Sequence, residues 1–219
     1  MPPKKKADKG DDDNKPAKVN YDELIRANLT EISFSPDRQS FGYARLMLKG
    51  TTLEKPLESL PSTFGSYRFL KNMDISFNNV SDITCLSVLP NLITLNAKRN
   101  NISSLKSFNR EPAGEEEVEY WKSLQWIHLA GNKISELGPI KAPNLLHLDL
   151  SQNDIKKLEH FDGHARLEYL DLSSNGISDT TSISKMPNLK NLYLSFNRIR
   201  NMNGFDGLDS LARLSLRSN

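Results

Sequence analysis

The stretch LEYLDLSSNGI, Leu167 to Ile177, decides how this chain folds. Apolar residues occupy its positions 1, 4, 6 and 11. Positions 4 and 6, Leu170 and Leu172, alternate with polar residues, as a short strand with one buried face requires. Position 9 is Asn175. Asparagine is a poor strand former, so it marks the point where the chain leaves the strand and backbone groups lose their partners. A side-chain amide both donates and accepts. One asparagine at that point can therefore bond the backbone of its own segment and of the next.

The same pattern recurs along the chain. It reads LKNMDISFNNV from Leu70, LITLNAKRNNI from Leu92, LQWIHLAGNKI from Leu124, LLHLDLSQNDI from Leu145 and LKNLYLSFNRI from Leu189. A last copy, LARLSLRSN, runs from Leu211 to Asn219, and the starts lie 22, 32, 21, 22, 22 and 22 residues apart. Position 9 is always asparagine: Asn78, Asn100, Asn132, Asn153, Asn175, Asn197 and Asn219. Position 14 is Ile83, Leu105, Leu137, Leu158, Thr180 and Met202, and position 17 is apolar in every full copy. Each coil thus turns about six apolar side chains to one side, which only stacked coils can cover. This repeat resembles the leucine-rich repeat in its short 22-residue intracellular class. The resemblance implies an α/β solenoid, a right-handed superhelix with short parallel strands on the concave side. Turns and 3₁₀ or short helical segments form the convex side. The asparagines are expected to form a structural ladder.

Four segments follow from this. Residues 1–18 are a charged tail with nothing apolar to bury, expected to be disordered. Residues 19–42 are expected to form an N-terminal cap, with Leu24, Ile25, Leu29 and Ile32 on a short helix. Residues 43–69 hold a degenerate first repeat, YARLMLKGTTL, in which Thr51 replaces the asparagine. Residues 70–219 carry the good repeats. They are interrupted at 109–123 by NREPAGEEEVEYWKS, which contains Glu115, Glu116, Glu117, Tyr120 and Trp121. That insertion reads either as a partner-docking loop or as a tolerated bulge with Trp121 packed back on the body. No C-terminal cap matches the N-terminal one. The expectation is that the natural protein continues past Asn219 or that another chain covers this end.

Composition narrows the function. Hydrophobic residues make up 37% of the 219, and the formal net charge is +2. The six lysines and four aspartates of residues 1–18 account for all of that charge, so the body is formally neutral. A neutral body argues against a surface built to neutralise phosphates. Cys85 is the single cysteine, which rules out an intrachain disulfide and fits a reducing compartment. No apolar run is long enough for a signal peptide or membrane span, so the sequons at Asn28, Asn79 and Asn101 read as incidental. No Gly-rich phosphate loop, HExxH or CxxC occurs. The expectation is a protein that is not an enzyme and holds no cofactor or metal.

Positions 3, 5 and 7 of each strand are expected to face outward on the concave side. In the middle coils they place Trp126, His128, His147, Tyr169 and Tyr193 there, with Asp149 and Asp171 between them. Aromatic residues at solvent-facing positions are what interface hot spots use, and these seven are the candidate protein-binding residues. Ordinary cross-strand pairing is the plainer explanation. His128, Asp149 and Ser151 on neighbouring coils invite comparison with a catalytic triad, but an open sheet does not exclude water.

A closer resemblance lies in residues 41–102. A degenerate coil (YARLMLKGTTL) precedes the good repeats, a long spacer leads to LKNMDIS, and Ala97 replaces leucine in LNAKRNN. In these features the chain is similar to the leucine-rich repeat-containing protein 23 family, radial-spoke components of motile cilia and sperm flagella. The similarity runs in order over about residues 28–219. It implies a structural role in the cytoskeleton of the axoneme, with other spoke proteins as partners. Two other roles fit the repeat class: a regulatory subunit holding a protein phosphatase on the concave side, or a nuclear ribonucleoprotein adaptor using Lys4–Lys6.

Overall fold

The structure, a computed structural model, describes residues 20–34, 40–50, 64, 66–110, 120–158 and 161–219. The tail 1–18, Lys4–Lys6, Thr51 and Glu115–Glu117 lie outside the described residues.

Each good coil contributes three strand residues, those at positions 3 to 5. The strands are β3 (Asn72–Asp74), β4 (Thr94–Asn96), β5 (Trp126–His128), β6 (His147–Asp149), β7 (Tyr169–Asp171), β8 (Asn191–Tyr193) and β9 (Arg213–Ser215). They pair in parallel, position 3 with position 3, from one coil to the next. Pairing continues past the strand: the position-6 N–H of each coil donates to the position-5 carbonyl of the next, as from Leu150 to Asp171 at 2.8 Å. The result is a parallel-strand solenoid with little helix. Short 3₁₀ segments at Thr84–Val88, Lys106–Phe108 and Thr181–Lys185 lie on the return side.

The core is one continuous column. Leu70, Leu92, Leu124, Leu145, Leu167 and Leu189 at position 1 stack with the residues at positions 4, 6 and 11, all buried. Each such side chain contributes roughly 1.5–3 kcal/mol of transfer energy. Thr180, the odd residue of position 14, is fully buried and directs its hydroxyl to the carbonyl of Asn203. That bond lets a polar residue stand in an apolar column. Met202, the next residue of that column, is 56% exposed.

Position 8 carries a constraint that the hydrophobic pattern conceals. Phe77, Arg99, Gly131, Gln152, Ser174, Phe196 and Ser218 all have φ between 51° and 71°. Six of the seven are not glycine. A left-handed residue costs about 1–2 kcal/mol, and the asparagine that follows offsets it. In the first coil Gly50 takes this position, where a Cβ would lie 1.5 Å from the carbonyl oxygen of Phe77. Only glycine fits there.

The asparagines bond in a direction opposite to the one expected. Asn175 donates Nδ2 to Leu172 O of its own coil at 3.0 Å and to Leu150 O of the preceding coil at 3.0 Å. Its Oδ1 accepts from the N–H of Ile155, also in the preceding coil, at 2.9 Å. Asn100, Asn132, Asn153, Asn197 and Asn219 repeat the arrangement, and Asn78 donates likewise to Leu48 O and Ile75 O. The left-handed residue before each asparagine swings the amide back over the coil already laid down. Asn219 is therefore fully engaged, with Leu194 O, Leu216 O and Ile199 N–H.

A second set of polar contacts runs along the other end of the strands. Asn91, Asn144 and Asn188 donate to Arg68 O, Lys122 O and Ala165 O of the coil before. In the coil that follows the insertion Ser123 does the same work, its hydroxyl donating to Pro90 O at 2.7 Å. Each of these three asparagines directly follows a proline: Pro90, Pro143 and Pro187.

At the N-terminal end α1 (Tyr21–Ala27) is capped by Asn20, whose Oδ1 accepts from Glu23 N–H, and it buries Ile25 in the core. The expected helix stops there. Leu29 and Ile32 belong instead to β1 (Leu29–Phe34), antiparallel to β2 (Phe41–Met47). The run LTEISF favours a strand through its β-branched and aromatic residues, and Asn28 ends the helix by bonding Leu24 O. β2 then pairs in parallel with β3, so among the described residues the sheet has nine strands in chain order.

The insertion places Trp121 in the core at 2% exposure. It stands three residues before Leu124, where other coils put Leu89, Ala142 and Met186, all buried. Its indole donates to Ser107 O at 2.8 Å and its ring meets Phe108 at 4.9 Å. Trp121 therefore belongs to the body and not to a docking loop. Tyr120, partly buried, lies under the guanidinium of Arg110.

Candidate protein-binding face

The side chains at positions 3 and 5 stand on the face of the sheet away from the core. A run of rings crosses it. His128 meets His147 at 4.9 Å, His147 stacks on Tyr169 at 3.9 Å with planes 10° apart, and Tyr169 meets Tyr193 at 5.3 Å. Register sets its path: His147 and Tyr169 share position 3, while His128 and Tyr193 come from position 5 of the flanking coils. Strands about 4.8 Å apart hold such rings at stacking distance. Trp126 stands beside this run, opposite His147 in register, and is 37% exposed.

The acidic residues between the rings are not equivalent, and Asp149 departs from the expected exposure. It is buried, at 8%. Lys98, two coils earlier, reaches across Ala130 to form an ion pair at 2.8 Å, and the Ser151 hydroxyl donates to the other oxygen at 2.7 Å. Ala130 has no side chain long enough to block the lysine. Burial works against the Asp149 carboxylate, but the bonds from Lys98 and Ser151 outweigh it and hold its pKa below the ordinary value. Ser76 and Ser195, expected outward at position 7, are also buried. Asp171 is only half-buried and bonds the N–H of Ser173 at 2.9 Å.

The histidines are poised to stay neutral. Burial lowers the pKa of His147 to about 4, with His128 beside it adding to the effect. His128 is lowered by burial and then by Lys98, and among the described residues its buried Nδ1 has no hydrogen-bond partner. Tyr169 is pushed up to about 12, by burial first and by Asp171 second. His128, Asp149 and Ser151 do not assemble as a relay, because Ser151 bonds the carboxylate directly and Lys98 takes its other oxygen.

Sequence reasoning missed the sheet extension at the N-terminal end. Ile32, Phe34, Phe41, Tyr43 and Met47 on the β1–β2 hairpin are 39–68% exposed. Arg45 of β2 pairs in register with Asn72, so this apolar patch continues the same face. The alternation Phe41, Tyr43, Arg45, Met47 carried the signal, but it straddles the boundary between the expected cap (19–42) and the degenerate first repeat (43–69).

A family model described as "Leucine rich repeat" matches residues 122–177, and one described as "Leucine Rich repeats (2 copies)" matches residues 165–210. Residues 122–210 are leucine-rich repeats. The leucine-rich-repeat chain is 29% identical to lumican of Bos taurus and 34% identical to lumican of Rattus norvegicus. Each match runs over 135 residues, 53% of this chain and 39% of lumican. Among solved structures, an internalin from Listeria monocytogenes matches with a TM-score of 0.62 at 22% identity, over 79% of this chain and 47% of the internalin. TLR13 in its complex with ssRNA13 matches with a TM-score of 0.56 at 23% identity, over 75% of this chain and 28% of TLR13. These structural likenesses establish the leucine-rich-repeat fold.

Proposed function

We propose that this leucine-rich-repeat protein is a non-catalytic scaffold of the axonemal radial spoke in motile cilia and flagella. It holds other spoke subunits on the open face of its sheet. The observation that carries the binding role is the run His128–His147–Tyr169–Tyr193 beside an exposed Trp126. Rings pre-stacked on a rigid sheet offer large contact area with little ordering cost on binding. The axonemal assignment draws on the sequence similarity of the first two coils, where the degenerate copy opens the parallel series as β2.

Proteomics of axonemes after detergent and salt extraction tests the assignment. The expected result is retention with radial-spoke subunits. Absence from the axoneme, with recovery alongside a phosphatase, would replace it with the regulatory-subunit role. Trp126→Ala with Tyr169→Ala is expected to release the partner while leaving the melting temperature within a few degrees of the parent. Unchanged binding would move the interface off this face.

A further inference from the structure

Three aspartates stand at position 5 of the sheet, and two of them are satisfied from within the chain. Each turns one oxygen back to the N–H two residues later: Asp74 to Ser76, Asp149 to Ser151 and Asp171 to Ser173, at 2.8, 3.1 and 2.9 Å. The second oxygen of Asp74 accepts from Asn96 Nδ2 at 2.9 Å, and that of Asp149 from Lys98 Nζ at 2.8 Å. Among the described residues nothing bonds the second oxygen of Asp171. The lysine that serves Asp149 sits at position 7 two coils earlier. The equivalent residue for Asp171 is Ala130. In the next coil Tyr193, in register with Asp171, takes the place that Asn96 has beside Asp74.

Two tyrosines stand beside Asp171 on the sheet. Tyr193 pairs with Asp171 across the strands, and Tyr169, two residues before it, lies 5.3 Å from Tyr193, ring to ring. A planar cation is the group that meets both demands. Guanidinium stacks on tyrosine faces while its N–H groups bond a carboxylate. We infer that the open face seats an arginine side chain of the partner protein on Tyr169 and Tyr193, with its guanidinium bonded to Asp171. The inference rests on the binding role proposed for this face. It gives the partner a chemistry: an arginine presented on a segment that lies across the middle coils.

The test uses the full chain, labelled for NMR, titrated with the peptides acetyl-Gly-Arg-Gly-amide, acetyl-Gly-Lys-Gly-amide and acetyl-Gly-citrulline-Gly-amide. The expected result is saturable shifts at Tyr169, Asp171 and Tyr193 for the arginine peptide, at least threefold weaker for lysine and absent for citrulline. Asp171→Asn should weaken the arginine peptide about tenfold. Asparagine keeps an oxygen for Ser173 N–H, so that variant is expected to fold, and an unchanged amide spectrum elsewhere checks it. Tyr193→Leu should weaken binding without changing the preference over citrulline. Equal shifts with the citrulline peptide, or no loss in Asp171→Asn, would overturn the inference. Loss of the native partner in the Trp126→Ala, Tyr169→Ala variant but full binding by Asp171→Asn would also overturn it, while leaving the scaffold role intact.

Discussion

The main-chain N–H of Ile155 donates to Oδ1 of Asn175 at 2.9 Å, so each coil is closed by an amide that arrives with the coil after it. The carbonyl of Leu172 shows the same economy. It accepts from Asn175 of its own coil at 3.0 Å and from Asn197 of the next at 2.9 Å. Using both lone pairs of one carbonyl joins each coil to the next through an asparagine side chain.

Asn175→Ala removes one acceptor and leaves the Ile155 N–H and the Leu150 and Leu172 carbonyls short of partners. The expected loss is about 1–3 kcal/mol, or on the order of 5 °C in melting temperature for a chain of this size. Thermal unfolding followed by circular dichroism measures it. An unaltered midpoint would mean that water replaces the amide at no cost.

Trp121 and Trp126 are separated by five residues and by the thickness of the sheet layer. Trp121→Ala should destabilise by about 3–5 kcal/mol, as large-to-small core substitutions do. Fluorescence distinguishes the pair. Trp126→Phe should leave blue-shifted emission from the buried indole, and Trp121→Phe should leave red-shifted emission from the exposed one. The reverse assignment of spectra would contradict the placement of the insertion.

His147 gives the stability of the protein a pH dependence of known sign. Its folded pKa of about 4 lies below the ordinary 6.5, so the unfolded chain binds a proton first as pH falls. Its contribution is fully present above about pH 6.5, declines as pH falls through that window, and is lost below about 4. His128 acts in the same direction. Chemical denaturation between pH 7 and 4 should show a slope that diminishes in His147→Phe. Ring protons of His147 followed by NMR should titrate near pH 4 and not near 6.5.

Cys85 is half-buried and its thiol is pushed up to about 11, by burial first and then by Asp82. At pH 8 only about a thousandth of it is thiolate, against roughly a quarter in an unfolded chain. Reaction with an aromatic disulfide reagent should therefore run roughly two orders of magnitude slower in the native protein than in denaturant. Equal rates would show that the return side of the second coil opens readily.

The sequence by itself determined the solenoid. A 22-residue period with apolar positions 1, 4, 6 and 11 leaves each coil with one sticky side, and stacking is the only way to cover all of them. It also determined that position 9 must be a bonding amide, because backbone groups are orphaned wherever a strand stops. Tertiary structure decided the rest. The left-handed backbone at position 8 turns each asparagine toward the coil behind it, and no propensity of Phe77, Gln152 or Ser174 announces that conformation. Trp121 became core because the insertion returns to the slot that Leu89 and Ala142 fill. Leu29 and Ile32 became strand because an antiparallel partner was available in β2. The fate of the three position-5 aspartates was likewise settled by neighbours: Asn96 for Asp74, Lys98 reaching over Ala130 for Asp149, and an alanine where Asp171 would need a lysine. Residues 22 or more apart in the chain set those environments, and a local pattern carries no information about which of them will have a partner.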